Sequence, residues 1–265
     1  MDAMQRLLEI MGKLRDPDKG CPWDLRQTYA TIVPYTLEEA YEVADTIQRG
    51  EMDELRDELG DLLFQIVFYS QIAREEGHFD FNDVASGICE KMIRRHPHVF
   101  ANAEYQSDEK LRQAWEQQKA DERAEQKPSS PSSHMDGVAH ALPALIRAEK
   151  LQKRAARVGF DWPDAQGAFD KVSEEFEEVR HELKNLNRQP LQDELGDLMF
   201  AMVNVVRLLG MDAEQTLTQA NMKFERRFRA LEEKLQQQGI TDLKTQSLEQ
   251  LDTVWEQVKQ AEREK

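Results

Sequence analysis

The chain has 265 residues, enough for one large or two ordinary domains, and a hydrophobic content of 40% supports a real core. With 51 acidic against 35 basic residues the formal charge is −16, which argues against a nucleic-acid surface or an anionic membrane as the main partner. Cys21 and Cys89 have no paired spacing, the first fourteen residues are amphipathic rather than signal-like, and no apolar run reaches membrane-spanning length; a cytoplasmic protein with free thiols is expected.

Apolar residues recur at three and four positions, not two, along nearly the whole chain, so the class is all-α. Leu7 to Leu14 opens with a helix, and the segment from Asp16-Pro17 to Cys21-Pro22-Trp23-Asp24 breaks it with turn chemistry. Thr36-x-x-Glu39 reads as a capping box for a second helix. Gly50 separates it from a long helix over about 52–76, stopped by Gly77, and Asn82 reads as the cap of another ending before Pro97. A further helix is expected over 108–124, including Trp115. Pro and Ser then dominate from Lys127 to Ser133, which marks a linker over 127–138 between a domain at 1–126 and one at 139–265. The second half gives helices near 142–157, 166–185, from Pro190 to Gly210 and from an Asp212 cap to Gln238, then a last one capped by Ser247-x-x-Gln250.

The halves repeat one another. Glu38-Glu39-x-x-Glu42 and Glu58-Leu59-Gly60-Asp61 recur 136 residues later as Glu174-Glu175-x-x-Glu178 and Glu194-Leu195-Gly196-Asp197. Lys91-x-x-Arg94-Arg95 answers Lys223-x-x-Arg226-Arg227, and Trp115-Glu116-Gln117-x-Lys119 answers Trp255-Glu256-Gln257-x-Lys259. Spacing of three puts each carboxylate pair on one helix face. Two such helices laid antiparallel bring four carboxylates together. Bare carboxylates about 4 Å apart repel by roughly 4 kcal/mol at an effective dielectric near 20, so a quartet calls for a cation or protons. Oxygen-only donors suit Mg2+, with Mn2+ as the alternative. Glu178-x-x-His181 has the spacing of a di-iron ligand pair, but its repeat counterpart ends in Asp45, so iron is disfavoured and His181 reads as a surface residue. Glu174, beside the ligand positions, suits activation of a water. Lys171, Lys223, Arg226 and Arg227 suit a triphosphate beside the cation, and Trp255 suits either a base or the core.

Glu-Glu-x-x-Glu followed by Glu-x-x-Asp, in two copies, with Cys21-Pro22-Trp23-Asp24 and Lys223 to Phe228, resembles the MazG-type nucleoside triphosphate pyrophosphohydrolases over essentially the entire chain. The resemblance implies two tandem helical domains of four-helix-bundle type, a homodimer, and Mg2+-dependent cleavage of nucleoside triphosphates to monophosphate and pyrophosphate with broad base tolerance. It also implies metal ligation by Glu175, Glu178, Glu194 and Asp197, and by Glu39, Glu42, Glu58 and Asp61. Tyr35 stands where the second half has Lys171, Cys89 where it has Asn221, and Gly50 where it has Leu186; the second half is therefore expected to be the more competent. Two other readings share these residues: a narrower pyrophosphatase acting on deoxyuridine triphosphate or a phosphoribosyl nucleotide, and a non-enzymatic acidic scaffold that holds metal.

Overall fold

Met4, Leu7, Leu8 and Met11 fall on one face of the first helix, α1 (Ala3–Leu14), and turn inward against α4 (Met52–Glu75). A computed structural model describes residues 2–101, 107, 109–111, 114–115, 118, 122, 133–185 and 188–264. The chain divides into two compact units, Met1–Glu122 and Arg123–Lys265. Residues 127–132, Leu186 and most of the helix expected over 108–124 lie outside the described residues, whereas Trp115 and Glu122 are helical. Every regular element among the described residues is a helix.

In the first unit the Pro22–Leu25 stretch, expected as a turn, winds into a single helical turn, α2, because Pro22 is tolerated at a first helical position. It is anchored by Arg15, whose Nη1 donates to the Asp24 carbonyl at 2.6 Å while the guanidinium grips Glu75. Helix α3 (Tyr29–Arg49) starts earlier than the Thr36 box suggests. Its cap is Thr28, which exchanges hydrogen bonds with Thr31, and the helix continues through Pro34. Thr36 sits inside it, its hydroxyl accepting from or donating to the Tyr69 hydroxyl at 2.9 Å. Gly50 closes α3 at φ 76°, a left-handed conformation that favours glycine. Helix α5 (Phe81–Arg95) is capped by Asp80, not Asn82: the Asp80 carboxylate accepts from the amides of Asn82 and Asp83. A short α6 (Pro97–Phe100) follows. The core gathers Met11, Ile32, Val67, Phe68 and Ile72.

The second unit contains α7 (Ala144–Arg157), α8 (Ala165–Asn185), α9 (Arg188–Leu208), α10 (Ala213–Gln237) and α11 (Leu248–Arg263). Helix α9 begins two residues before Pro190, which occupies its third position, where no intrahelical N–H donor is needed. The Asp212 and Ser247 caps form as the sequence indicates. Helix α8 packs along α9, α7 crosses α9 and α10, and α10 pairs with α11 through Leu231, Leu235, Val254 and Val258.

Candidate active site

Both acidic cassettes lie on antiparallel helix hairpins. In the first unit Thr36 meets Tyr69, Glu39 meets the amide of Gln65 at 3.5 Å, and Glu42 meets Glu58. Later positions on α3 thus face earlier positions on α4. In the second, α8 ends at Asn185 and α9 starts at Arg188, so two helices packed along each other must run antiparallel. The hairpins bring one carboxylate oxygen from each of Glu39, Glu42 and Glu58 within 4.8 Å of one another, and likewise Glu175, Glu194 and Asp197.

The fourth predicted acid of each quartet, Asp61 and Glu178, stands outside the tight group but within its field. Desolvation, then the charges of Asp61 and Glu42, push Glu39 above the usual carboxylate range. Desolvation, then Glu42 and Asp61, does the same to Glu58. Glu178 is pushed up by desolvation and by its neighbour Glu175. These shifts follow from partial burial first and from the neighbouring carboxylates second. An all-oxygen donor set, crowded enough to resist ionisation, fits a hard divalent cation and fits poorly a metal that wants nitrogen or sulfur.

Glu175 is only 6% exposed, and a carboxylate that deep needs a partner. Lys171, one turn earlier on α8, supplies it at 2.8 Å and also donates to Glu174 at 2.9 Å. Those hydrogen bonds, the one donated to Glu175 foremost, hold the ammonium firmly charged. In the first unit Tyr35 takes this position and packs edge-on against Trp23, so that cluster has no lysine at its flank. Glu174 itself is exposed beside the group.

The other predicted residues lie on α10 and α11. Lys223 is exposed. Arg226 and Arg227 both grip the carboxylate of Glu262, Arg227 Nε at 2.6 Å. The first unit builds the same fork from Arg94 and Arg95 on Glu122, at 2.8 and 2.5 Å. Sequence reasoning paired the arginines but missed their acid, although Glu122 and Glu262 keep the 140-residue offset of Trp115 and Trp255. Trp255 is half-buried, its ring 5.4 Å from that of Phe224 and against the α10–α11 core. His181 is exposed, as read from the sequence.

An all-α chain with two helical hairpins, each presenting a carboxylate cluster suited to a divalent cation, defines a class of helical metal-site protein. Residues 27–100 and 166–231 match the model of the MazG nucleotide pyrophosphohydrolase domain. The chain is 50% identical over 264 residues to a nucleoside triphosphate pyrophosphohydrolase of Escherichia coli (strain K12), covering 99% of both chains. It is 41% identical to the nucleoside triphosphate pyrophosphohydrolase/pyrophosphatase MazG of Thermotoga maritima, covering 96% of this chain and 95% of that one. A relative from Mycobacterium tuberculosis, also called a nucleoside triphosphate pyrophosphohydrolase, is 35% identical over 58% of this chain and 46% of its own. The chain belongs to the MazG nucleotide pyrophosphohydrolase family, and it carries that family's domain in tandem.

Proposed function

We propose that this protein hydrolyses nucleoside triphosphates to the monophosphate and pyrophosphate in a Mg2+-dependent reaction, with broad base tolerance and with most turnover in the second unit. The observation that carries the reading is the convergence of Glu175, Glu194 and Asp197 from two helices, with Lys171 at their edge. Glu175, Glu178, Glu194 and Asp197 would hold the cation there, and Glu39, Glu42, Glu58 and Asp61 in the first unit. When bound, the cation supplies offset charge for the triphosphate and the departing pyrophosphate.

The chain's own residues do the rest. Glu174, exposed and one turn from Lys171, accepts a proton from the water that attacks the α-phosphorus. The new bond joins the water oxygen to that phosphorus, and the bond to the bridging oxygen breaks as pyrophosphate leaves. Lys171 exchanges its contact with Glu174 for a phosphate oxygen, so arrival of substrate frees the base. Lys223, Arg226 and Arg227 hold the phosphate tail, and positioning and electrostatics account for the rate because no covalent intermediate is needed. Trp255 serves the nucleotide site by bracing α10 through Phe224, a role favoured by its half-buried ring.

A homodimer agrees with the apolar side chains left exposed on the cassette hairpins: Val33, Leu37 and Tyr41 in the first unit, Phe176, Leu195 and Met199 in the second. No helix among the described residues is long and apolar enough to cross a membrane, which agrees with a cytoplasmic site of action. The Pro/Ser-rich stretch at 127–138 would join domains at 1–126 and 139–265. Pyrophosphate release from a panel of nucleoside triphosphates tests the reading. Glu178→Ala should abolish turnover and Glu42→Ala should leave most of it. Equal, small effects of both would show that the acids only store metal.

A further inference from the structure

The two carboxylate clusters are duplicates in their acids but not in what satisfies them. Glu39 and Glu175 occupy the same position of the repeat, and each belongs to the tight group of its unit. Their partners come from different sources. Glu175, almost fully buried, is held by the Lys171 ammonium at 2.8 Å, a contact made along α8 itself. Glu39, half-buried, is reached from the facing helix α4 by the amide of Gln65, which donates to it at 3.5 Å. Gln65 is itself buried, and its counterpart in the second unit is Ala201, which has no donor to offer. Tyr35, the counterpart of Lys171, packs against Trp23 instead. Both differences act in one direction. The first unit satisfies its inner acid with a neutral dipole, the second with a full positive charge.

No other fixed charge evens the balance. Arg49 pairs with Asp45 and Glu54, and Arg56 with Asp57, all outside the first cluster. Among the described residues no basic side chain makes an ion pair with Glu39, Glu42, Glu58 or Asp61. On α8, Arg180 pairs with Glu177 and not with Glu178. Lys171 is therefore the one ammonium or guanidinium in ion-pair contact with either cluster among the described residues. Its second bond, to Glu174 at 2.9 Å, tethers it there.

A cation held by Glu175 would share that carboxylate with the ammonium. Two positive charges on one carboxylate repel, and even at the dielectric of water a unit charge so close to a divalent ion lowers its affinity by about tenfold. Burial of Glu175 strengthens the repulsion, because the effective dielectric falls away from the surface. A cation held by Glu39 meets the oxygen-bearing amide of Gln65 and no such charge.

We infer that Lys171 sets the order in which the two units take a divalent cation. Without nucleotide, the cluster of Glu39, Glu42 and Glu58 fills first, and that of Glu175, Glu194 and Asp197 fills only at higher cation concentration. This order rests on the cation reading of both clusters and goes beyond it: the unit assigned most of the turnover is the one that free cation fills last.

The test uses the full chain with Mn2+ as the probe, its free concentration read by electron paramagnetic resonance in the absence of nucleotide. Wild type should show two classes of site about tenfold apart, the tighter removed by Glu39→Gln and the weaker by Glu175→Gln. Lys171→Met should tighten the weaker class about tenfold, and Tyr35→Lys should weaken the tighter class by as much. No Mn2+ binding by wild type would overturn the cation reading itself, and the order with it. Binding with the two classes equal, with the Glu175 class tighter, or with both variants within about twofold of wild type would overturn the order alone. Should Lys171→Met melt well below wild type, Tyr35→Lys decides by the same criterion, because Tyr35 is exposed and its replacement leaves Glu175 and its partner untouched.

Discussion

Glu122 and Glu262 are single acids that each pair with two arginines, leaving one positive charge uncompensated at each fork, and both are held below the ordinary carboxylate range. Hydrogen bonds from Arg95 and then Arg94 bring Glu122 down to about 2, and those from Arg226 and then Arg227 lower Glu262. A carboxyl lowered on folding contributes stability that is complete above its unfolded value, about 4.3, and is lost as pH falls through the folded value. The stability difference between wild type and Glu122→Gln, followed by urea unfolding, should therefore be steady from pH 7 to pH 5 and shrink toward zero by about pH 2. A difference independent of pH would mean that Glu122 stabilises by shape alone. The arginines were visible in the repeat, but their common partner was not, because a pairing between different helices leaves no local spacing in either. Gln152 illustrates the same point more strongly: nothing around it in sequence distinguishes it from the other polar residues of an exposed helix face, and only packing against α9 buries it.

At the level of the helix, local chemistry predicted existence and type well and starts less well. The Asp212 and Ser247 caps formed because each has its partner three residues ahead and no competitor nearby. Thr36 and Asn82 were plausible caps that lost to Thr28 and Asp80. Helix α3 runs through Pro34 because the Tyr29 and Ile32 side chains, packed in the core with residues of α4, offset the missing hydrogen bond. Asp80→Ala should cost about 1 kcal/mol in unfolding free energy, the usual worth of an N-cap, whereas Asn82→Ala should stay within roughly 0.5 kcal/mol of wild type. Equal costs in chemical denaturation would return the cap to Asn82. The hairpins that carry the acids were legible for a different reason. An acidic pair three residues apart fixes which face of a helix bears charge, and the duplicate copy shows that the pattern is kept at matched positions.

For the whole molecule, two clusters of mutually repelling carboxylates predict a stability that depends on divalent ions. Glu39, Glu58 and Glu178 are raised on folding, so without a cation their contribution falls as pH rises from about 4.3 through their folded values. Near pH 7 a bound cation should offset that loss, and at a hundredfold excess over its Kd it should add about 2.7 kcal/mol. Thermal melts with and without Mg2+ or Mn2+ should show an upward shift of a few degrees in wild type. That shift should be reduced in Glu39→Gln or Glu175→Gln and lost in the double variant; a wild-type Tm indifferent to either ion would count against both clusters. Sequence by itself determined the helical class, the duplication and which acids share a helix face, since all three are written in short-range spacing that a helix converts directly into faces. Tertiary structure alone decided which three acids of each quartet draw together, that Glu175 is buried among them, and that Glu122 and Glu262 reach the arginine pairs of another helix. Those outcomes depend on contacts between residues tens of positions apart, and the interior volume they leave is a property of packing that no local pattern encodes.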